Sequence, residues 1–469
     1  QRTLDPADEY PAQVGGTLLS AQGLMPVGIR GVVPQGSTAV PGYGGIPGLR
    51  YVPAGYTGDA NSSSVLFSSL RAIEGGYNVR EAFTEFNWPL LSDMAFVEML
   101  ELNTAARWAD YSGSGEIWAW KFSGNWTIND EVRVRATRSR DVRAASLRER
   151  YDQTRGGANV ANPWDNRNAV QAASLSGGNP NVSPEEADTI TAGIVYQPTW
   201  FEGFSASVDW YSIDIDGALA QLGAQNIVDN CFRGELSLCQ YVISGSGPVT
   251  NPTNGAFRPI DRVEAIFINL QTQKIEGLDM ELQYSTDVDF FASASEDLSF
   301  RFLTSYLAEN SVQSQGGIID DRAGQIGSFG YPEWKITTNV SYNMDNWTMF
   351  LQGRWIGDGL LDKTRLESNT SIPLTARPAG SILAACGTKI CTIDDNSVPS
   401  SFYMDARISG RFGEDEKLEV FANIQNLLDR APVITPGIGV GRTGTGTGVN
   451  TGLYDILGRR YTLGVNYEF

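Results

Sequence analysis

The chain has 469 residues, 41% hydrophobic and 19% charged, with a formal net charge of −19 and no histidine. The acidic balance argues against a nucleic-acid partner, and the missing histidines remove Ser-His-Asp and Cys-His nucleophile systems together with the usual zinc ligand. There is enough apolar material to exclude wholesale disorder, and no run approaches the roughly 18 apolar residues of a membrane helix.

That last test is blind to a membrane barrel, which hides its lipid-facing band in alternation. Residues 1–76, rich in Gly, Pro and Ser, are expected to form one long external loop. The chain opens QRTLDPADEY, without an initiator methionine or a signal peptide. Either a signal has been removed or the chain starts inside a longer precursor.

From residue 77 onward, period-2 alternation recurs thirteen times. It predicts strands near 77–89, 97–110, 115–126, 129–140, 187–197, 203–216, 270–286, 296–310, 331–343, 346–357, 399–412, 416–428 and 455–469. In GLDMELQY, Leu278, Met280, Leu282 and Tyr284 oppose Asp279, Glu281 and Gln283. In FYMDARISGRF, Phe402, Met404, Ala406, Ile408 and Phe412 oppose Tyr403, Asp405, Arg407, Ser409 and Arg411. The polar faces carry acids and arginines, and the apolar faces begin or end on aromatics. Together these features indicate an all-β, transmembrane, antiparallel β-barrel with a polar lumen. Arg133, Arg135, Glu281, Asp405, Arg407 and Arg411 are expected to line that lumen. They recur along many strands rather than converging, so luminal charge pairing is preferred over a catalytic carboxylate pair.

The connections alternate in length. MDN (344–346), GED (413–415) and QPTWFEG (197–203) are short; 141–186, 217–269, 358–398 and 429–454 are long, with an exception at Ser112–Ser114. The long set is expected outside the cell. Four cysteines fall in it as two close pairs, Cys231 with Cys239 and Cys386 with Cys391, without metal-ligand spacing. They read as two short disulfide loops in an oxidising compartment. Gly439, Gly441 and Gly444 match G-x-G-x-x-G but precede more glycine and a strand, not a helix, so a flexible loop is expected instead of a nucleotide site. The IDD stretches at 319–321 and 393–395 read as solvated loop, since no spaced calcium ligand set surrounds them. No cofactor or metal is expected.

The end of the chain alternates Tyr461, Leu463, Val465, Tyr467 and Phe469 against Arg460, Thr462, Gly464, Asn466 and Glu468. That stretch resembles the carboxy-terminal signal read by the outer-membrane assembly machinery. GGYNVREAFTEFNWPLL (75–91), the run at 97–151, NPNVSPEEADTITAGIVYQP (179–198), FANIQNLLDRAP (421–432) and the terminal YTLGVNYEF resemble the carboxy-terminal part of TonB-dependent receptors.

The resemblance implies a barrel of about 22 strands with a plug inside. It also implies residence in the outer membrane of a Gram-negative bacterium and active uptake of a scarce small-molecule ligand such as a siderophore, vitamin or glycan. Nothing here resembles a plug or an energy-coupling segment. Residues 77–469 are therefore expected to supply only the carboxy-terminal strands. The plug and about nine upstream strands would come from another part of the precursor or a separate chain. Through that part an inner-membrane TonB complex would act. The alternatives are a passive porin-type channel and, further off, a secreted all-β glycosidase using two carboxylates.

Overall fold

A computed structural model of the chain describes residues 73–469, apart from 166–167, 233, 246, 251–257, 270–271, 292–294, 314–318, 328–329, 379–382, 384, 387–388, 414, 436–447 and 469; upstream it describes only four short strands within 2–70. The expected 1–76 loop, the glycine motif at 439–444 and Phe469 thus lie wholly or largely outside the described residues.

All thirteen expected strands are present. They are β1 (Val79–Met94), β2 (Val97–Tyr111), β3 (Gly115–Asn129), β4 (Val132–Arg143), β5 (Glu185–Tyr196), β6 (Phe204–Asp216), β7 (Thr272–Asp287), β8 (Glu296–Gln313), β9 (Trp334–Met344), β10 (Trp347–Ile356), β11 (Ser401–Phe412), β12 (Leu418–Gln425) and β13 (Arg460–Tyr467). They form one antiparallel sheet in chain order, with β1 and β13 as its edges, unpaired with each other. Among the described residues no helix is long and apolar enough to cross a membrane.

Several strand ends differ from expectation for local reasons. β1 runs through Pro89 because the register shifts between Pro89 and Leu91, a bulge that tolerates the missing N–H. β4 starts late because the Asn129 side chain accepts from the Glu131 and Val132 amides and makes a turn. β12 stops at Gln425 because Asn426 takes a left-handed φ of 52°. β13 starts at Arg460 after a loop fixed by Asp455, which accepts from the Leu457 amide and from Arg460.

The register locks the two faces. Tyr284 pairs with Phe300, Leu282 with Phe302, Val340 with Leu351, Leu351 with Ala406, and Val420 with Val465. Since side chains alternate, every pair in these rows shares one apolar face. Aromatic clusters edge that face at both ends. Near the short turns Phe201 stacks on Phe204 and Tyr284, and Trp347 meets Phe412 edge-on. Toward the long loops Tyr306 meets Trp334 with centroids 4.5 Å apart. Phe402 and Phe412, ten residues apart on β11, span about 33 Å along the strand, or about 25 Å after the usual tilt, the height of a bilayer's apolar band.

Beyond the upper aromatics the same face turns ionic: Arg140 forks onto Asp188 at 2.9 and 2.7 Å, and Lys274 reaches Glu309 at 2.7 Å. The sheet therefore stands taller than its apolar band on the long-loop side.

The long loops are folded. After β4 come α1 (Leu147–Tyr151) and an antiparallel hairpin, Gln153–Asn162 with Asn168–Gly177. Residues Ala173–Gly177 of that hairpin pair in parallel with Arg262–Ile266 from the loop between β6 and β7. Two helices of the same loop, α2 (Ala224–Phe232) and α3 (Leu236–Cys239), pack on this second sheet around Val160, Ala172, Ile227, Val228, Val242 and Val263. A smaller core of Ile326, Ile356, Leu361, Val398, Tyr403 and Tyr454 unites the loops after β8, β10 and β12. Both expected disulfides are present, Cys231–Cys239 inside the first core and Cys386–Cys391 in the loop before β11, with Cα separations of 4.8 and 5.0 Å.

Candidate functional site

The face opposite the apolar band carries the chemistry. Arg133, Arg135, Glu281, Asp405, Arg407 and Arg411 all lie on it by register, spread over β4, β7 and β11. They do not converge. Four of them sit instead in local networks whose partners the strand patterns alone do not disclose.

On β4 to β6, Arg135 forks onto Asp209 at 2.8 and 2.6 Å. The two residues are not on adjacent strands: Gly193 of β5 lies between them in the register. A β-carbon at 193 would overlap the Asp209 carboxylate. Glycine is what lets the pair close over an intervening strand. On β7 and β8, Arg301 donates to Glu281 at 2.6 Å.

Toward the terminal edge, Arg407 donates to Glu419 at 2.5 Å and lies 4.4 Å from the Phe421 ring centre. The Phe421 ring covers Gly464 of β13, where a side chain would collide with it. Asn466 completes the group by donating to Glu419 at 2.9 Å. This stack of cation, ring and glycine ties three strands together on the polar face. Asp405 accepts from the Asn426 amide at 2.7 Å and sits 3.7 Å from Arg354.

Such an array can solvate and steer a polar solute. Among the described residues no group of three or more Asp, Glu, Cys or His side chains could hold a metal. Of the IDD acids, Asp320 and Asp321 are ion-paired with Arg322 and Lys363, and Asp395 accepts from Ser397.

At the long-loop rim of β2 to β4, α1 is tied to the sheet by Glu149 on Arg143 and by Arg150 on Ser114. Ser146 and Glu149 form a reciprocal capping box. Glu149 also accepts both Nη groups of Arg143, at 2.9 and 3.0 Å, while Glu185 takes Arg143 Nε at 2.5 Å. Burial pushes the Glu149 carboxyl up, but the Arg143 and Ser146 bonds outweigh it and hold the group below its ordinary value of 4.5. Beside this cluster is a pocket of about 320 Å³ bounded by Tyr77, Tyr111, Ser114, Arg143, Ser146 and Arg150. The sequence offers little sign of it, since its walls come from three separate stretches, 76–77, 111–114 and 142–150.

Comparison with known proteins agrees with this architecture. A family model described as "TonB dependent receptor-like, beta-barrel" matches residues 9–427. Among solved structures, the siderophore receptor PirA from Acinetobacter baumannii is similar at 16% identity with a TM-score of 0.53, covering 84% of this chain and 46% of that one. A variant of the ferric enterobactin receptor PfeA from Pseudomonas aeruginosa, in complex with enterobactin, is similar at 14% identity with a TM-score of 0.53, covering 84% and 46%. At such identities the likeness is one of fold. The chain spans about half the length of these receptors. No curated protein matches it.

Proposed function

The chain belongs to the TonB-dependent receptor family, and from that premise we propose that it forms part of the wall and external loops of an outer-membrane transporter in a Gram-negative bacterium. The transporter takes up a scarce ligand such as a siderophore, vitamin or glycan. Its polar face, with Arg133, Arg135, Glu281, Asp405, Arg407 and Arg411, lines the lumen. The folded loops form the external mouth, and the terminal alternation from Tyr461 to Phe469 serves as the assembly signal. An inner-membrane TonB complex drives the cycle by pulling on a plug. The work is conformational, and no bond chemistry is assigned to this chain.

One observation carries the proposal: a thirteen-stranded sheet whose register separates an aromatic-edged apolar face from an ion-paired polar one. The same sheet supports the view that further strands complete the barrel. With thirteen antiparallel strands, β1 and β13 run in the same direction, so closing the sheet on itself would need a parallel seam. An open edge in lipid leaves a row of backbone groups without partners, each costing several kcal/mol by order of magnitude. We therefore assign strands outside this sheet, together with the plug, as the partners of β1 and β13.

The test is energised uptake. Cells expressing the intact receptor should accumulate ligand only with a proton-motive force and a functional TonB complex. Accumulation that survives collapse of the proton-motive force, together with sugar-driven swelling of receptor-loaded vesicles, would support a passive channel instead.

A further inference from the structure

The pocket at the rim of β2 to β4 contains Arg150, whose charge no carboxylate among the described residues neutralises. Arg150 is 8% exposed. Its Nη1 donates to Ser114 Oγ and its Nη2 to the Pro180 carbonyl, each at 2.8 Å. Its Nε has no acceptor, and among the described residues no carboxylate pairs with it. The neighbouring Arg143 differs, with Glu149 and Glu185 both on it. The helix supplies Glu149 directly before Arg150, yet that carboxylate is turned to Arg143 and to the Ser146 amide.

A buried guanidinium satisfied only by neutral acceptors is costly to keep, and the cost falls when an anion completes it. Arginine's planar fork suits a carboxylate or phosphate. The rest of the wall narrows the choice. Tyr77 and Tyr111 lie side by side on one wall, their rings tilted at 46° with centres 5.8 Å apart, and small residues, Gly76, Gly113 and Ala144, leave the space open. A volume of about 320 Å³ admits a fragment the size of one substituted ring.

We propose that this pocket is a recognition subsite for a planar aromatic carboxylate, held by Arg150 with its ring against the wall formed by Tyr77 and Tyr111. This deepens the uptake reading, on which it rests for its biological meaning, by naming the chemistry of one ligand arm. The physical claim of binding is separable from transport.

The test uses the intact receptor in detergent micelles, with benzoate as probe and benzamide and inorganic phosphate as comparators, read by calorimetry and saturation-transfer NMR. Benzoate is expected to bind saturably at one site, with benzamide and phosphate each at least tenfold weaker. Arg150→Met should weaken benzoate at least tenfold. Ala144→Phe, which fills the pocket but keeps Arg150 and both its bonds, should abolish binding and so separates lost binding from lost folding.

No saturable benzoate binding, binding unchanged in both variants, or phosphate binding as tightly as benzoate would each overturn the assignment. Because the readout needs no energised membrane, a failure of the transport reading would leave this result standing, and the reverse also holds.

Discussion

The two-faced sheet makes a sharp demand at Leu351 and its neighbour Gln352. Leu351 lies midway between Trp347 and Trp355 on β10, with Val340 and Ala406 beside it. The two tryptophans are eight residues apart, about 26 Å along the strand and about 20 Å in height after tilt. Leu351 is thus about 10 Å from either aromatic edge, at the middle of the apolar band. An arginine there should cost about 2–4 kcal/mol, a shift of about 30-fold to about 900-fold in the folding equilibrium.

Gln352 points the other way, toward Asn339, to which it donates at 3.0 Å, and toward Asp405. Gln352→Arg should therefore change stability by less than about 1 kcal/mol, since an exposed pairing with Asp405 offsets the lost hydrogen bond. Reversible denaturant titration of the intact receptor in lipid vesicles, followed by tryptophan fluorescence and gel mobility, measures both. Equal costs at the two positions would falsify the lipid-facing assignment and indicate a core packed on both sides.

Gly193→Ala should break the fork between Arg135 and Asp209, because the added carbon falls on the carboxylate; a destabilisation of about 1–3 kcal/mol is expected, and a double variant with Asp209→Ala should lose much less on top of that, as a double-mutant cycle would reveal. The cysteine pairs should appear as Cys231–Cys239 and Cys386–Cys391 in peptide mapping of unreduced protein. Reduction should speed amide exchange in 224–244, whose core holds the first bridge, while β6 and β7 keep their protection. Glu149 has its pKa held down in the folded protein, so its stabilisation is present above 4.5 and lost as pH falls through the lowered folded value. Exchange of the 144–152 amides should accordingly quicken on acidification below 4.5, and Glu149→Gln should remove most of that dependence.

Alternation alone was enough to locate every strand of the main sheet, because each is half-exposed to two different environments along its whole length. It misjudged ends where single side chains intervene, as Asn129, Asn426 and Asp455 do. The loop domain was not legible for a different reason. Its defining contact joins Ala173–Gly177 to Arg262–Ile266, about ninety residues apart in parallel, and no local period encodes that pairing. A faint signal existed in Ile227, Val228 and Cys231, which share one face of α2. On the polar face, the residue types were readable but the partners were not. Arg135 finds Asp209 only because Gly193 intervenes, and Arg407 finds Phe421 only through the register of β11 with β12.

The central claim is that this sheet is one portion of a larger barrel wall, and strand neighbours test it most directly. All four native cysteines are in disulfides, so single cysteines placed at Ala82, Thr84 or Phe86 on β1 and at Tyr461, Leu463 or Val465 on β13 report pairing cleanly. Oxidative cross-linking of the intact receptor in its membrane should join none of the nine β1–β13 combinations, and β13 cysteines should cross-link instead to strands outside the sheet described here. A high-yield bond between β1 and β13 would show the sheet closing on itself and contradict the account.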